Sequence, residues 1–295
     1  MSKFSYFRSS LFRSSFVGAV CALFLQVLVS NTSTSASTTL PRPDHVVIVM
    51  EENHSYEQII GSASAPYINS LAQQGALFTN SHAVAHPSQP NYLALFSGST
   101  QGLTDDSCPH TFSGPDLGGQ LLAAGLSFTG YSEGLPSAGS TVCSDPPWNL
   151  WAPPYARKHA PWTNFTDVPA TSNQPFTSFP SDYSTLPTVS FVIPNLQNDM
   201  HSGSIQTADS WLQKQLGGYA QWAQTHNSLL IVTWDEDDSG SSNHIATIFS
   251  GAHVKTGQYS ESINHYTVLR TLEAMYGLAA INNSGTVNPI TDVWQ

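Results

Sequence analysis

Ser88 begins the segment Ser88-Gln89-Pro90-Asn91, which has the residue types of a helix start. Proline fits the first turn of a helix because the N–H that it lacks would be unpaired there anyway. A serine at this position places its hydroxyl beside unpaired backbone amides and at the positive end of the helix dipole. A phosphate bound there would lie against the hydroxyl, so Ser88 is a candidate nucleophile for phosphate esters. An ordinary helix cap is the alternative that the local sequence alone favours.

Acids and amides follow three of the strands that the sequence predicts. They are Glu52 and Asn53 after the first strand, Asn198 and Asp199 after the fourth, and Asp235 and Glu236 after the fifth. Because ligand sites of parallel sheets lie beyond the carboxyl ends of the strands, we expect these side chains to converge. Their oxygens suit Ca²⁺, Mg²⁺ or Mn²⁺. A solvated strand end is the alternative for each pair taken alone, but two acidic pairs beside Ser88 favour a metal-assisted site.

The elements that must position these residues follow from the hydrophobic periodicity. Residues 45–50 form a nearly continuous apolar run, which is typical of a buried parallel strand. Further strands are predicted at 76–80, 126–131, 188–193, 229–234 and 245–249, and helices at 67–74, 91–96, 116–124, 207–224 and 266–276. This alternation predicts a three-layer α/β/α sandwich with a mostly parallel central sheet.

The segment between Cys143 and Leu186 is rich in Pro, Trp, Ser and Thr and has little periodicity. Such a composition predicts a long irregular excursion from the domain, and long loops in compact domains are often functional. His159 lies in this excursion. An imidazole with an ordinary pKa of about 6.5 can donate a proton to a leaving oxygen, so His159 is a candidate general acid. A solvated or core-bonded histidine is the alternative.

Six short segments carry a family resemblance. They are V-I-V-M-E-E-N-H-S-Y, H-P-S-Q-P-N-Y, Y-A-R-K-H-A-P-W, N-D-M-H-S-G, T-W-D-E-D-D and N-H-I-A-T-I-F-S-G. In order and spacing they resemble the phosphoesterase family of bacterial secreted acid phosphatases and phosphocholine-specific phospholipases C, within the alkaline phosphatase superfamily. The resemblance runs from about residue 45 to 276, and it implies an alkaline-phosphatase-like fold.

The resemblance also implies roles for individual residues. The catalytic set is Ser88, which would carry a phosphoserine, Asn91, whose amide would hold a phosphate oxygen, His159 and His201. The metal set is Glu52, Asn53, Asp199, Asp235, Glu236 and His244. The two-zinc members of the superfamily use Asp-x-x-x-His and Asp-His pairs, whereas this chain has Asp-x-His and Asp-Glu. We therefore expect a single Ca²⁺, Mg²⁺ or Mn²⁺ ion rather than two zinc ions.

The predicted reaction is hydrolysis of small phosphomonoesters, with a phospholipid or phosphoinositide headgroup among the possible substrates. A phospholipase C acting on phosphodiesters is the alternative on the same scaffold. A sulfatase is disfavoured because Tyr92 stands where the related motif has arginine. From a different class, a secreted carbohydrate-binding module could use Trp148, Trp151 and Trp162, but Ser88 and the acidic pairs argue against it.

The N-terminal 36 residues have the layout of a secretory signal peptide. Lys3, Arg8 and Arg13 precede an apolar run at 16–29, and small residues follow at 34–36. Cleavage there would leave a secreted protein with one catalytic domain at 37–295, although an uncleaved anchor is the alternative. The full chain has a net charge of -11, with 20 acidic residues. This charge excludes nucleic acid as a partner and makes a bound cation necessary for handling phosphate.

Cys108 and Cys143 are the two cysteines that follow the predicted signal peptide. An oxidising compartment would allow them to pair, and the bridge would then anchor the base of the irregular excursion. Two buried free thiols are the alternative.

Overall fold

A nine-stranded sheet organises the chain in the computed structural model, which describes residues 40–147, 154–240 and 242–295. The described residues fall in one compact unit, Thr38–Gln295. The predicted signal peptide lies outside the described residues. Within the described part of the chain, no helix has the length and apolar character needed to cross a membrane.

The strands and helices are numbered in chain order. The strands are β1 His45–Glu51, β2 Ala76–His82, β3 Phe128–Ser132, β4 Ser144–Asp145, β5 Tyr155–Ala156, β6 Asn173–Pro175, β7 Val189–Ile193, β8 Ser228–Trp234, β9 His244–Gly251, β10 Gly257–Tyr259 and β11 Ile263–Asn264. The α-helices are α1 Tyr56–Ile59, α2 Pro66–Gln74, α3 Ser88–Ser97, α4 Leu117–Ala123, α5 Ile205–Ala223 and α6 His265–Tyr276.

The central sheet has the order β10-β2-β9-β8-β1-β7-β3-β6, and β11 also pairs with β2. Strand β9 is antiparallel to both of its neighbours, and the other pairings in this sheet are parallel. Strand β1 lies between β7 and β8, and its register places Glu51 opposite Trp234. The residues that follow β1 and β8 therefore lie side by side, beyond the carboxyl ends of these two strands.

Two apolar layers cover the sheet, as the predicted sandwich requires. One cluster joins the sheet to α3, α4 and α6, and the other joins it to α2 and α5. All ten residues of α3 are buried. A helix that is buried all round holds its N-terminal residue, Ser88, in a fixed place beneath the sheet edge. The mostly parallel α/β/α prediction is confirmed.

The excursion predicted at 143–186 contains more structure than its composition suggested. It includes β5, β6 and short 3₁₀ helices at Arg157–His159, Pro161–Asn164 and Tyr183–Thr185. Trp162 is 1% exposed, and a Cβ on Gly130 would overlap its indole ring. Trp162 is therefore a core residue and not a carbohydrate platform; Trp148 and Trp151 lie outside the described residues.

The disulfide between Cys108 and Cys143 is present, with a Cα–Cα distance of 5.8 Å, so that prediction is confirmed. Arg157 reinforces the same base of the excursion. Its backbone N–H donates to the Cys143 carbonyl at 2.9 Å, and its guanidinium donates to the carbonyls of Thr141 and Thr163 at 2.9 and 2.8 Å. These bonds anchor the 3₁₀ helix that carries His159.

We expect the double substitution Cys108→Ser with Cys143→Ser to destabilise the protein by ~3 to 4 kcal/mol, because the bridge closes a loop with a sequence separation of 35. Thermal melts of the double variant, and of the wild type with and without reductant, measure this loss of stability. The KM for a phosphate ester should rise as well, since the excursion contributes to the site. Unchanged melting temperature and KM in the double variant would contradict this.

Two carboxyls meet at the start of α4. Asp116 caps the helix by accepting from the Gly119 N–H at 2.9 Å, and its second oxygen is buried without a hydrogen-bond donor. Burial, together with a hydrogen bond to the Asp167 carboxyl, raises the pKa of Asp116 to about 8. The pair therefore holds a proton in the folded protein at neutral pH.

Because the folded pKa of Asp116 lies above the unfolded value of about 3.9, its contribution to stability is complete below about pH 4. It is lost as the pH rises to about 8. Asp116→Asn mimics the protonated form, since the amide can cap Gly119 and donate to Asp167. The melting temperature of the variant should exceed that of the wild type at pH 8 by roughly 2 to 4 °C per kcal/mol gained, and the difference should vanish near pH 4. Exposed Asp44→Asn is the matched control; a difference independent of pH would refute the shared proton.

Candidate active site

The Ser88 hydroxyl lies between two carboxylates at the N-terminus of α3. Its Oγ is within donor distance of Glu236 Oε1 at 2.9 Å and of Glu52 Oε2 at 3.2 Å. The side chain is 2% exposed. A serine hydroxyl in this position has an adjacent proton acceptor, which is the arrangement that activates a nucleophile.

Asn91 fastens the loop that leads into Ser88. Its Oδ1 accepts the N–H groups of Val84 and Ala85, each at 3.0 Å, and its Nδ2 donates to the carbonyls of Ala85 and Pro87 at 2.9 and 3.4 Å. The amide is thus occupied by the loop backbone. These bonds hold the loop before Ser88 in place, and the role of Asn91 as a phosphate donor stays a prediction.

Glu52 connects Ser88 to a second group of residues. Its Oε1 accepts from the Tyr92 hydroxyl at 2.5 Å and lies 3.0 Å from His159 Nε2. Its Oε2, on the Ser88 side, also accepts from the Asn53 amide at 3.1 Å. Asn53 is therefore a partner of Glu52 in this structure, and its backbone N–H bonds to Asp235 Oδ1 at 3.1 Å.

Asp199 and Asp235 approach Glu52 from the ends of neighbouring elements. The carbonyl of Asp199 accepts the Glu52 N–H at 2.7 Å, and the Asp199 Oδ2 lies 3.6 Å from His159 Nδ1. The Oδ2 atoms of Asp199 and Asp235 are buried without hydrogen-bond partners. Buried oxygens of this kind cost free energy unless a proton or a cation satisfies them.

Burial dominates the electrostatics of these carboxyls. It raises the pKa of Glu52 to about 7, and it raises the pKa of Asp199 and Asp235 well above the usual range, with the charge of Glu52 adding to both shifts. Burial also raises the pKa of Glu236. Four clustered carboxyls cannot all ionise in such a place without positive charge, so the group favours bound protons or a cation.

Glu52, His159 and Asp199 could hold that cation. One ligand atom from each of them lies within 4.8 Å of the other two, and all three residues are buried. Burial lowers the pKa of His159 well below 6.5, with help from Lys158, and the neutral imidazole is the form that binds metals. The geometry thus fits His159 as a candidate metal ligand, and its role as a proton donor stays a prediction. Like the predicted set with His244, this group combines one imidazole nitrogen with carboxylate oxygens.

Glu236 and His201, two further predicted residues, lie beside Ser88 and Asp199. Glu236 bonds to Ser88 with one oxygen and to His86 with the other, so its position is that of a base. His201 bonds through its backbone N–H to Asp199 Oδ1 at 2.8 Å, and its ring centroid lies 6.2 Å from that of His159.

His244 is not brought into the group. Its Nδ1 lies 2.8 Å from Glu57 Oε1 and its Nε2 lies 3.1 Å from the Thr79 carbonyl. Both ring nitrogens are engaged by α1 and β2, which leaves neither for a metal at Glu52. The structure therefore does not bring His244 together with the other predicted metal residues. The sequence could not show this, because it does not reveal on which face of β9 the ring lies.

Sequence reasoning missed four residues of the site: His86, Tyr92, Asp106 and Lys158. Tyr92 is four residues after Ser88 in a helix, so both lie on one face, and that spacing could have identified it. Lys158 adjoins a candidate histidine. Asp106, which lies in a loop, carries no sequence signal of its own.

Comparisons with known proteins identify the family of the chain. A model of the Phosphoesterase family matches residues 62–279. The chain is 55% identical over 262 residues to a phosphatidylinositol-3-phosphatase of Mycobacterium tuberculosis, covering 88% of this chain and 85% of that protein. It is 31% identical over 253 residues to a phosphate-repressible acid phosphatase of Penicillium chrysogenum, covering 81% of this chain but only 60% of the relative.

Solved structures support the fold. A member of the alkaline phosphatase superfamily from Vibrio parahaemolyticus superposes with a TM-score of 0.57 at 12% identity, covering 86% of this chain and 72% of that one. A phosphonate monoester hydrolase of Agrobacterium radiobacter superposes with a TM-score of 0.51, also at 12% identity, covering 81% and 74%.

The non-enzymatic alternative is thereby excluded, since the family model and both relatives describe proteins that act on phosphate esters. The chain belongs to the Phosphoesterase family and is a hydrolase acting on phosphate ester bonds.

Proposed function

We propose that the protein is a metal-dependent phosphomonoesterase that works through a phosphoserine on Ser88. One observation supports this proposal above all: the Ser88 Oγ lies between Glu236 and Glu52. Glu52 is also a member of the buried group that could hold a metal ion, together with His159 and Asp199. The nucleophile and the candidate metal group thus share the Glu52 carboxylate, and Glu236 lies beside the nucleophile as its proton acceptor.

In the first half-reaction, Ser88 Oγ bonds to phosphorus while the bond from phosphorus to the leaving alcohol oxygen breaks. Glu236 takes the hydroxyl proton, and burial, which raises its pKa, makes it a stronger base. His86, bonded to its other oxygen, orients it. With His159 among the candidate ligands, the half-buried His201 is the proton donor to the leaving oxygen. Burial and the charge of Lys158 lower the pKa of His201, so it carries this proton at acidic pH.

In the second half-reaction, water attacks phosphorus and the bond to Ser88 Oγ breaks. His201, which gave up its proton in the first step, takes one from the water, and Glu236 returns its proton to Ser88 Oγ. Phosphate leaves, and every group regains its starting protonation state.

A divalent ion held by Glu52, His159 and Asp199 would supply the positive charge that lets a phosphate dianion approach these carboxylates. Two carboxylates and one imidazole form a mixed oxygen and nitrogen donor set. Among the ions predicted from the sequence, we favour Mn²⁺, because first-row transition ions accept imidazole more readily than Ca²⁺ or Mg²⁺ do.

For the substrate, we favour a phosphoinositide headgroup carrying a phosphomonoester. The Mycobacterium tuberculosis relative, to which the chain is 55% identical, is a phosphatidylinositol-3-phosphatase, which supports this choice over a phospholipase C reaction. We also propose that the protein is exported. The disulfide between Cys108 and Cys143 supports export, since such bonds persist in oxidising compartments.

We expect Ser88→Ala to lower kcat for p-nitrophenyl phosphate by at least about 10³-fold, because it removes the nucleophile. Glu236→Gln should lower kcat by roughly 10² to 10⁴-fold through loss of the base. Ser70→Ala, which removes a hydroxyl bonded to the Tyr67 carbonyl in α2, is the matched control and should retain activity. More than a tenth of wild-type turnover in Ser88→Ala would reject the phosphoserine.

Exhaustive chelation should abolish turnover, and added Mn²⁺ should restore it. Elemental analysis of the purified variants locates the ion. His159→Ala and Asp199→Asn should lower metal affinity at least tenfold, whereas His244→Ala should retain the metal because its ring nitrogens have partners elsewhere. If His244→Ala loses the metal and His159→Ala keeps it, His244 is the ligand, as the sequence predicted, and His159 is not.

A further inference from the structure

Lys158 brings positive charge into a site that is otherwise acidic. Its side chain is 16% exposed, and its Nζ lies 2.7 Å from Asp106 Oδ2. Its charge acts on the carboxyls of Glu52, Asp199 and Asp235. The reaction steps proposed above make no use of this cation.

Asp106 ties Lys158 to the start of the nucleophile helix. While Asp106 Oδ2 holds the ammonium, Asp106 Oδ1 accepts the backbone N–H of Gln89 at 2.9 Å. Gln89 directly follows Ser88 in the first turn of α3. The ammonium is therefore fixed relative to the residue that would bond to phosphorus.

The neighbouring Arg157 shows what a structural cation looks like in this segment. Four of the five N–H donors of its guanidinium bond to the Thr141, Thr163 and His110 carbonyls and the Thr163 hydroxyl. An ammonium has three N–H donors, and among the described residues Asp106 is the hydrogen-bond partner of Lys158. Lys158 thus keeps a larger share of its donors for a ligand than Arg157 does.

We propose that Lys158 is a catalytic residue whose ammonium binds the non-bridging oxygens of the phosphoryl group transferred to Ser88. Asp106 is the positioning residue that holds it beside α3. This inference rests on the proposed function, because it names the group that neutralises the substrate of the same site. Lysine is a common binder of phosphate as a point charge, and stabilisation of developing charge is a large part of phosphoryl-transfer catalysis.

A phosphomonoester carries nearly two negative charges at neutral pH, whereas a phosphodiester carries one. The free energy of bringing the monoester beside Glu52 and Glu236 therefore depends more steeply on a nearby cation. Lys158 would accordingly favour monoesters over diesters.

The test compares Lys158→Met, Lys158→Arg and the charge-balanced double variant Lys158→Met with Asp106→Asn, using p-nitrophenyl phosphate at pH 7 and constant ionic strength. We expect Lys158→Met and the double variant each to lower kcat/KM by roughly 10²-fold or more. The inhibition constant of inorganic phosphate should rise at least tenfold in both. Lys158→Arg should recover most of the lost kcat/KM, since it keeps the charge.

Lys214→Met, on the exposed side of α5, is the matched control and should behave as wild type. Melting curves separate loss of folding from loss of function, and the double variant leaves no unpaired charge at Asp106. Wild-type kcat/KM and phosphate inhibition in the double variant would overturn the inference, because the ion pair would then be structural only.

Calorimetry of inorganic phosphate binding in the Ser88→Ala background separates this inference from the proposed function. Weaker phosphate binding after adding Lys158→Met supports the inference even if Ser88→Ala proves active and the nucleophile is wrong. Unchanged phosphate binding overturns the role of Lys158 even if Ser88→Ala is inactive and the nucleophile is right.

Discussion

The Glu52 carboxylate is the interaction on which the candidate site depends. One of its oxygens meets the nucleophile Ser88, and the other meets His159. Because Glu52 directly follows the central strand β1, its backbone is held on one side by Asp199 at 2.7 Å and through Glu51 by Asp235 at 2.9 Å. A side chain with no exposure and an acidic neighbourhood would be unfavourable there unless its charge were balanced. The fold thus places a carboxylate where only a cation or a proton makes it stable.

That constraint explains the distribution of charge. A protein with a net charge of -11 repels phosphate at long range, so attraction must come from a few cations placed close to the nucleophile. The buried group around Glu52 can bind one, and Lys158 is a second that belongs to the chain itself. Their charges oppose those of the clustered carboxylates beside Ser88, which favours the binding of a dianionic group there.

Much of the fold was predictable because hydrophobic periodicity and strand-end acids are local signals. The strands β1, β7 and β8 were predicted to within one residue of their observed bounds, and the helix predicted at 91–96 is α3, Ser88–Ser97. The contacts of Asn91 and His159 were not predicted, because they depend on how the chain folds back. Asn91 bonds to the loop before Ser88, and His159 lies beside Glu52, more than 100 residues away in sequence. The edge strands β10 and β11 have only three and two residues, too few to show a period.

The excursion after Cys143 shows how an irregular segment can carry a precise site. Three consecutive residues of one 3₁₀ turn have different contacts. Arg157 bonds to the base of the excursion, Lys158 bonds to Asp106, and His159 lies 3.0 Å from Glu52. Because the three share one turn, an error in its placement would displace the phosphate-binding cation and the candidate metal ligand together. The disulfide and the buried arginine at its base hold this turn in place. An unanchored loop of this length would lose the positions that Lys158 and His159 need relative to the same substrate.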